Sequence, residues 1–430
     1  MDTTTYQDYV NILHEELVPA MGCTEPIAIA YAAAVARQTL GRPAQRMEVE
    51  ASGNIIKNVK SVFVPNTGGL RGIPAAAAAG MAAGDPALEL EVLSSIGEGE
   101  QAAIRQYLAD TPIAVKLADS PFIFDIAIRA WAGEDSALVR IVNYHTNIVR
   151  VERNGQVLKE VEAQAAAEEG LTDKSVLTVE GILEFAREAA LADVEDAVGR
   201  QVRYNTAIAQ EGLRGDYGAN IGKVLLATYG DDVKIRAKAM AAAGSDARMN
   251  GCGLPVVIVS GSGNQGLTAS LPVVEYAKEL GADWETTLRA VLVSDLITIH
   301  LKAEIGRLSA YCGAVSAGCG SGAGIAWLYG REKEPQALLK DVSHTIVNAL
   351  AVDSGIVCDG AKASCAAKIA SAVDAGLLGF YMYQNGQQFR GGDGIISKGV
   401  EQTIRNIGLL ATQGMRETDR EILDIMTNRC

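Results

Sequence analysis

The spacing of apolar residues changes along this 430-residue chain, and that change limits the folds open to it. Between residues 46 and 161, short apolar runs alternate as strands do, and Asn154-Gly155 separates two of them like a hairpin turn. From about Thr178 to the end, apolar residues recur at helical spacing. We therefore predict an α+β fold: an N-terminal α+β portion with a small mixed sheet, followed by a larger, mainly helical catalytic domain.

Three segments follow from this pattern. Residues 1–45 hold two predicted helices, Tyr6–Leu17 and Glu25–Leu40, the second with Thr24 as N-cap, and both are free to pack on the helical domain. Residues 46–165 form the α+β domain, and residues 175–430 form the all-α domain. The charged stretch Gln164–Asp173 is the predicted linker. The predicted strands are Met47–Ala51, Ser61–Val64, Ile113–Leu117, Phe122–Ala130, Ala137–Val142, Ile148–Val151 and Val157–Val161.

Charge and composition exclude several classes of protein. With 38 basic and 52 acidic residues the formal charge is −14, so we expect no nucleic-acid partner. The uncharged stretches Met249–Val274 and Leu308–Gly330 are rich in small polar residues and lack basic, aromatic flanks, so we expect buried segments around a site and no membrane. The first residues carry no basic leader. We expect a cytoplasmic protein and, as is common for enzymes of this size, a homodimer.

The chain has seven cysteines and no CxxC pair. Cys358 and Cys365 flank a break at Asp359-Gly360 after which a helix can restart, and a helix N-terminus favours anionic ligands. With Cys312 as a third ligand, one iron of a [4Fe–4S] cluster would stay open and act as a Lewis acid. The competing interpretation is that these cysteines are small buried hydrophobes.

The segment Val256–Gly266 contains a GxGxxG pattern. A dinucleotide fold needs a parallel βαβ unit around it, and the predicted neighbours are helices. We interpret the loop instead as a nest of backbone N–H groups for a carboxylate. The residues involved are Ser260, Gly261, Ser262, Gly263 and Asn264.

Two charged residues and two polar loops complete the candidate site. Asp246 and Arg248 would bind an ammonium and a carboxylate; the alternative is an ion pair that caps a helix. The glycine-rich loop after a predicted strand contributes Asn66, Thr67 and Gly68, and the polar run between two strands contributes His145, Thr146 and Asn147. For His145 the competing interpretation is a hydrogen-bonded structural histidine.

Together these segments resemble the L-cysteine desulfidase family, which is related to the iron–sulfur L-serine dehydratases. The resemblance rests on GCTEP (22–26), PNTGG (65–69), HTNI (145–148), SDARM (245–249), SGSGNQG (260–266), RLSAYC (307–312) and VCDGAKASC (357–365). It implies conversion of L-cysteine to pyruvate, ammonia and sulfide with a [4Fe–4S] cluster and without pyridoxal phosphate. It also implies Cys312, Cys358 and Cys365 as cluster ligands and Cys23 as a further functional cysteine.

A β-elimination needs a base for the α-proton. Our hypothesis makes Cys23 that base, with its pKa lowered at the start of the Glu25–Leu40 helix, and Glu25 is the alternative. Cys252 and Cys319 are expected to be packing residues. For Cys430 two interpretations stay open: a tail that caps the cluster, or a free thiol at the chain end.

Two other functions remain as alternatives. An iron–sulfur L-serine dehydratase would eliminate hydroxide through the same site. A non-catalytic protein would bind an amino acid in the glycine-rich pocket and hold no cluster.

Overall fold

The computed structural model describes residues 1–164 and 170–427, so Cys430 and residues 165–169 of the predicted linker lie outside the described residues. The strands are β1 Pro19–Met21, β2 Arg46–Ala51, β3 Ile113–Leu117, β4 Asp125–Ala132, β5 Asp135–Val142, β6 Ile148–Arg153, β7 Gln156–Glu160 and β8 Pro255–Val257. The α-helices are α1 Thr3–Glu16, α2 Thr24–Leu40, α3 Gly53–Val59, α4 Gly72–Ala83, α5 Glu98–Asp110, α6 Val179–Glu188, α7 Leu191–Arg214, α8 Ile221–Tyr229, α9 Val233–Met249, α10 Gly263–Glu279, α11 Trp284–Ile305, α12 Gly313–Gly330, α13 Pro335–Val352, α14 Cys365–Gln384, α15 Val400–Leu409 and α16 Arg416–Thr427.

Six strands form one mixed sheet in the order β3-β2-β4-β5-β6-β7. The pair β2 and β3 is parallel and the others are antiparallel, so the predicted small mixed sheet is confirmed. The hairpin turn at Asn154-Gly155 is also confirmed, because both residues have positive φ. The predicted strand Ser61–Val64 is wrong. Phe63 makes only an isolated bridge to Arg71, since the intervening loop turns the chain back on itself at Asn66.

The second half of the chain is the predicted helical region. Helix α12 lies at its centre and contacts α10, α11, α13 and α14. The expectation that residues 308–330 are buried holds for α12, whose side chains are nearly all inside. The sequence analysis does not predict this helix, because its glycines and serines have low helix propensity and only burial between four neighbours stabilises it. Helix α14 is long and apolar enough to cross a membrane, but more than half of its apolar window is buried in this fold.

The N-terminal residues join the two regions. Helix α1 contacts α7 and α11, whereas α2 covers the sheet at β4, β5 and β6. Between them, β1 pairs antiparallel with β8, so the residues just before α2 lie beside the glycine-rich loop that follows β8. At the other end of the chain, α16 contacts α3. Strand β1 and helix α16 therefore both lie where the sheet region meets the helical region.

Candidate functional site

Cys312 and Cys358 lie side by side because their two loops pair as a short antiparallel bridge. Tyr311 bridges to Val357, the Cys312 N–H donates to the Ile356 carbonyl at 2.9 Å, and the Cys358 N–H donates to the Ala310 carbonyl at 2.7 Å. The Cys312 thiol hydrogen-bonds the Cys358 sulfur, which lowers the pKa of Cys358 and raises that of Cys312. The backbone pairing thus fixes two thiols against each other.

Cys365 joins them as the first residue of α14, which confirms that a helix restarts after Asp359-Gly360. Its thiol donates to the Gly360 carbonyl at 3.8 Å. Gly360 has a φ of 92°, and a Cβ there would lie 2.4 Å from the Lys57 carbonyl, so the loop is pressed against α3. We call Cys312, Cys358 and Cys365 the cysteine wall.

Lysines surround the cysteine wall, although the chain as a whole carries a charge of −14. The ammonium of Lys57 donates to the Cys358 carbonyl at 3.3 Å. Lys362 and Lys368 both pair with Asp359. Lys57 pairs with Asp419, so three ammonium groups meet two carboxylates here. The positive charge of Lys57 and Lys362 further lowers the pKa of Cys358.

The donor set of the cysteine wall fits an iron–sulfur cluster. Within residues 1–164 and 170–427, no group of three or more His, Cys, Asp or Glu side chains converges as it would on a single metal ion. A cluster has a different requirement, because its thiolate ligands bind separate irons and need not meet at one point. The wall offers three soft thiols, two of them at the N-termini of α12 and α14, within a positive surrounding.

Opposite these thiols lies the glycine loop, where Arg248 meets the first turn of α10. A Cβ at Gly263 would lie 2.3 Å from the Nε atom of Arg248, so only glycine allows this approach. Arg248 is 4% exposed, and its Nε has no hydrogen-bond partner among the described residues. Ser262 is the N-cap and its side chain makes no capping bond. A buried cation and a helix N-terminus therefore face the same point, as an anion site requires.

His145 lies over the same loop. A Cβ at Gly261 would lie 2.9 Å from the His145 Cε1 atom, and the histidine ring packs edge-on against Phe124. Burial, together with the nearby Arg307 and Arg248, lowers the pKa of His145 to about 3, so the ring is neutral at physiological pH. Its Nε2 has no hydrogen-bond partner in the described part of the chain. We call Arg248, His145 and the loop Ser260–Gly263 the glycine-loop wall.

Asp246 lies on a different side of α9 from Arg248, since two positions along a helix correspond to about half a turn. Its carboxylate accepts the Gly222 N–H at 3.2 Å and faces the start of α8, and burial raises its pKa to about 6. No ion pair joins it to Arg248 among the described residues. The structure therefore places Arg248 in the glycine-loop wall and Asp246 behind it.

Cys23 and Glu25 lie between the two walls. Helix α2 begins at Thr24, one residue before the predicted start, so Cys23 and not Thr24 is the N-cap. The Cys23 thiol donates to the Met249 sulfur at 3.4 Å. The expectation of a lowered pKa for Cys23 is wrong, because burial raises it to about 12. The Asn58 amide donates to a Glu25 carboxylate oxygen at 2.8 Å, and Thr24 donates to the Gly261 carbonyl at 2.8 Å.

Other predicted site residues stabilise the loops themselves. The Thr67 hydroxyl donates to the Val64 carbonyl, the Asn66 amide to the Leu93 carbonyl, and the Asn147 amide to the Val142 carbonyl. The Gly68 carbonyl accepts from Arg105. Thr146 lies in the same turn as His145, where its carbonyl accepts the Ile148 N–H. In the glycine loop, Ser260 has positive φ. The side-chain amide oxygen of Asn264, Oδ1, accepts a hydrogen bond from the Ser245 hydroxyl.

The sequence analysis missed four residues that the fold brings to the site. Gln265 is buried, its Oε1 has no partner in the described residues, and a Cβ at Gly313 would lie 2.7 Å from its Cδ. Met249 accepts hydrogen bonds from Cys23, Arg248 and Asn264. Lys57 and Asn58 belong to α3, which was not predicted. Met249 lies in the motif SDARM and Gln265 in the motif SGSGNQG, so their positions in these motifs could have indicated a place in the site.

A cavity of about 1280 Å³ opens beside the site and not on it. It touches the glycine-loop wall at Ser260 and reaches α16 at Asp419. The cysteine wall, Arg248 and His145 are absent from its lining. The two walls remain our candidate site, because buried polar atoms of Arg248, His145 and Gln265 lack partners there among the described residues.

Comparison with known proteins identifies the family. Residues 87–424 match the family model described as serine dehydratase alpha chain, a range that includes both walls but not Cys23 or Glu25. The chain is 59% identical to a UPF0597 protein of Desulfitobacterium hafniense, over 99% of this chain and 97% of the relative. The corresponding figures are 51%, 98% and 100% for Lachnoclostridium phytofermentans, and 45%, 99% and 99% for Treponema denticola.

Proposed function

This chain belongs to the serine dehydratase alpha chain family, an iron–sulfur family, and on that premise we propose that it is an L-cysteine desulfidase. The reaction is a β-elimination: the α-proton and the sulfur substituent leave L-cysteine, and the resulting aminoacrylate hydrolyses to pyruvate and ammonia. The enzyme is thus a carbon–sulfur lyase with a small amino acid as substrate.

One observation carries the proposal: a buried arginine, Arg248, has an unpartnered Nε at the open N-terminus of α10. Burying an unpaired guanidinium N–H costs free energy, so the position favours a ligand that restores the hydrogen bond. An α-carboxylate has the right charge and can accept from the guanidinium and from the first-turn N–H groups together.

The amino group of the same substrate needs an acceptor. His145 is neutral and its Nε2 is unpartnered, so we assign the substrate amine to His145. Asp246 is the less suitable candidate: one carboxylate oxygen has no partner among the described residues, but the other accepts the Gly222 N–H, so the group faces the start of α8 behind the glycine-loop wall. Carboxylate and amine would then be held by Arg248 and His145, with the side chain of the substrate directed toward the cysteine wall.

Of the two candidate bases, we propose Glu25. The high pKa of Cys23 leaves it a thiol, which is a poor proton acceptor. The Glu25 carboxylate is oriented by the Asn58 amide, and Asn58 in turn lies against the Gly360 loop. We therefore expect Glu25 to reach the α-carbon of a substrate bound between the two walls.

Cys312, Cys358 and Cys365 would hold the cluster, which we propose is of the [4Fe–4S] type. When bound, it would supply a Lewis acid that stabilises the charge on the leaving group. Two sulfur atoms beside Arg248 support a sulfur substrate: the Met249 thioether and the Cys23 thiol lie 3.4 Å apart, and Arg248 donates to the Met249 sulfur. Such polarisable contacts favour a thiol over a hydroxyl side chain.

The decisive experiment measures sulfide, pyruvate and iron in one anaerobic preparation, with L-cysteine and L-serine as separate substrates. We expect sulfide and pyruvate in equal amounts from L-cysteine, and a lower kcat/KM for L-serine. Iron with turnover of L-serine alone would make the chain an L-serine dehydratase. Absence of both iron and turnover after reconstitution would favour the non-catalytic amino-acid-binding protein.

A second experiment separates the two bases. We expect Glu25→Gln to lower kcat by about 10²–10⁴-fold, the usual contribution of a general base, while the visible absorption of the cluster stays. Cys23→Ala should keep both the cluster and a measurable part of the turnover. The reverse pattern would assign the proton transfer to Cys23, and loss of the cluster in Cys23→Ala would make Cys23 a ligand.

We also propose that the enzyme works in the cytoplasm as a homodimer, with residues 46–165 and 175–430 as its two domains. Light scattering after anaerobic gel filtration tests the dimer, and limited proteolysis tests the boundary between the domains. A monomer, or cleavage only within the helical region, would contradict these assignments.

A further inference from the structure

Lys57 is a buried lysine at the back of the cysteine wall. Its side chain is 1% exposed, and its ammonium donates to the Cys358 carbonyl at 3.3 Å and to the Asp419 carboxylate at 2.5 Å. Lysines are almost never fully buried without a partner, because removing the charge from water is costly. The position of this charge therefore needs an explanation.

The backbone of Lys57 makes a second contact with the same loop. Its carbonyl oxygen would lie 2.4 Å from a Cβ at Gly360, so the end of α3 and the Cys358 loop are in direct contact. The next residue, Asn58, binds Glu25. One short helix thus connects the proposed base, the cysteine wall and, through Asp419, the C-terminal helix α16.

We propose that Lys57 is a positioning residue for the cysteine wall: its buried ammonium, anchored by Asp419, holds the Cys358 loop and balances the negative charge of the cluster. The inference rests on the proposed function, because it takes Cys312, Cys358 and Cys365 as cluster ligands. Three thiolates and a [4Fe–4S]²⁺ core have a net negative charge, which a nearby cation stabilises.

The other lysines do not replace this one. Lys362 and Lys368 share Asp359 on the loop itself and are partly exposed, so water screens their charges. Lys57 comes from a separate helix and is shielded from water. Removing it changes the charge at the wall without altering the sequence of the loop.

Three substitutions test the proposal in the full-length, reconstituted protein. Lys57→Met removes the cation and keeps much of the chain length, Lys57→Arg keeps the charge, and Asp419→Asn removes the opposing anion. The matched control is Lys60→Met, because Lys60 is the C-cap of the same helix, is exposed, and binds the Met426 carbonyl of α16. It repeats the substitution and the α16 contact without a charge at the cysteines.

The readouts are iron content and the reduction potential of the cluster, followed by electron paramagnetic resonance. We expect Lys57→Met to hold less iron and to shift the potential to more negative values, and Asp419→Asn to shift it to more positive values. Lys57→Arg should restore the iron content, and Lys60→Met should match wild type. A role in folding alone would give no shifts of opposite sign.

The failures are distinguishable. If wild type holds iron and Lys57→Met behaves like Lys60→Met, or if Lys57→Met and Asp419→Asn shift the potential in the same direction, this inference is wrong and the proposed function stands. If wild type holds no iron after reconstitution, both are wrong. Should Lys57→Met unfold, as thermal melting of the apoprotein would show, Asp419→Asn still provides the test.

Discussion

The two walls of the candidate site differ in how they are built. The cysteine wall consists of loop ends and helix starts whose cysteines are partly exposed, with lysines around them. The glycine-loop wall is largely buried. His145 is neutral and Arg248 carries the charge, and each has one side-chain nitrogen without a partner among the described residues. The first wall is suited to receive a large anionic group after folding, whereas the second is shaped in advance for a small ligand.

The two walls also differ in how they affect the stability of the apoprotein. Unpartnered atoms at His145, Arg248 and Gln265 lower the stability of the apoprotein, because each lost hydrogen bond of a buried group costs about 1–3 kcal/mol. The backbone bridge of the cysteine wall, in contrast, is complete without a ligand. Substitutions in the cysteine wall should therefore change the iron content, whereas substitutions in the glycine-loop wall should change kcat/KM and leave the iron content unchanged.

The largest effect should come from the cysteine wall. Cys358→Ala removes a ligand thiol, and we expect iron binding to fail and activity to fall below about a hundredth of wild type, since even indirect partners of metal ligands contribute 10–100-fold. The measurement is iron content and sulfide release after anaerobic reconstitution. Full iron content in this variant would remove Cys358 from the ligand set.

The next effect should come from the glycine-loop wall and leave the iron untouched. Arg248→Met removes the carboxylate anchor, and we expect kcat/KM for L-cysteine to fall on the order of 30-fold or more, as for a lost buried charge partner worth about 2 kcal/mol or more. Arg236→Met is the matched control, because Arg236 lies on the same helix and pairs with Glu279 at the surface. Equal kinetics for the two variants would contradict the assignment.

A smaller effect concerns the apoprotein and pH. The pKa of His145 is lowered to about 3, while the unfolded chain takes up a proton below about 6.5, so the stability that this residue contributes is lost as pH falls through 6.5. Between pH 7.5 and 5.0, we expect wild type to lose about 2 kcal/mol more than His145→Asn in urea unfolding. The exposed His14 provides the control His14→Asn, which should follow wild type.

The smallest effect should come from a cysteine in neither wall. Cys252 is buried, and its sulfur hydrogen-bonds Tyr217 and not the other cysteines. Cys252→Ala should lower the free energy of unfolding by about 1 kcal/mol and leave iron content and kcat/KM unchanged. A change in either of the latter would extend the site beyond the two walls.

Sequence patterns predicted the parts of the fold that depend on local periodicity. Strand β3 has the predicted bounds, Ile113–Leu117. Helix α10 starts at Gly263, inside the segment that we interpreted only as a loop, since its glycines form a helix when packed against β8. Local sequence patterns did not predict five further helices, because these also depend on tertiary packing: α3, α8, α12, α14 and α16.

The candidate site shows the same limit. The motifs predicted which loops carry the candidate residues. The residues of the two walls, namely Cys312, Cys358, Cys365, Arg248 and His145, all lie in or beside those motifs. Sequence could not predict that Asp246 faces α8 or that Cys23 is raised in pKa, because both depend on burial by distant segments. Lys57 was missed for the same reason, since a lysine on a short helix is typically exposed.

The pairing of β1 with β8 and the contact of α16 with α3 both join segments that are synthesised at very different times. Residues 19–21 emerge early from the ribosome, but their partners at 255–257 emerge much later. Lys57 likewise waits for Cys358 and, almost last, for Asp419. Contacts between such distant segments form slowly, because long loops must close first. A chain that stops before α16 therefore leaves the ribosome with Cys312, Cys358 and Cys365 present and with the ammonium of Lys57 lacking its anchor, Asp419.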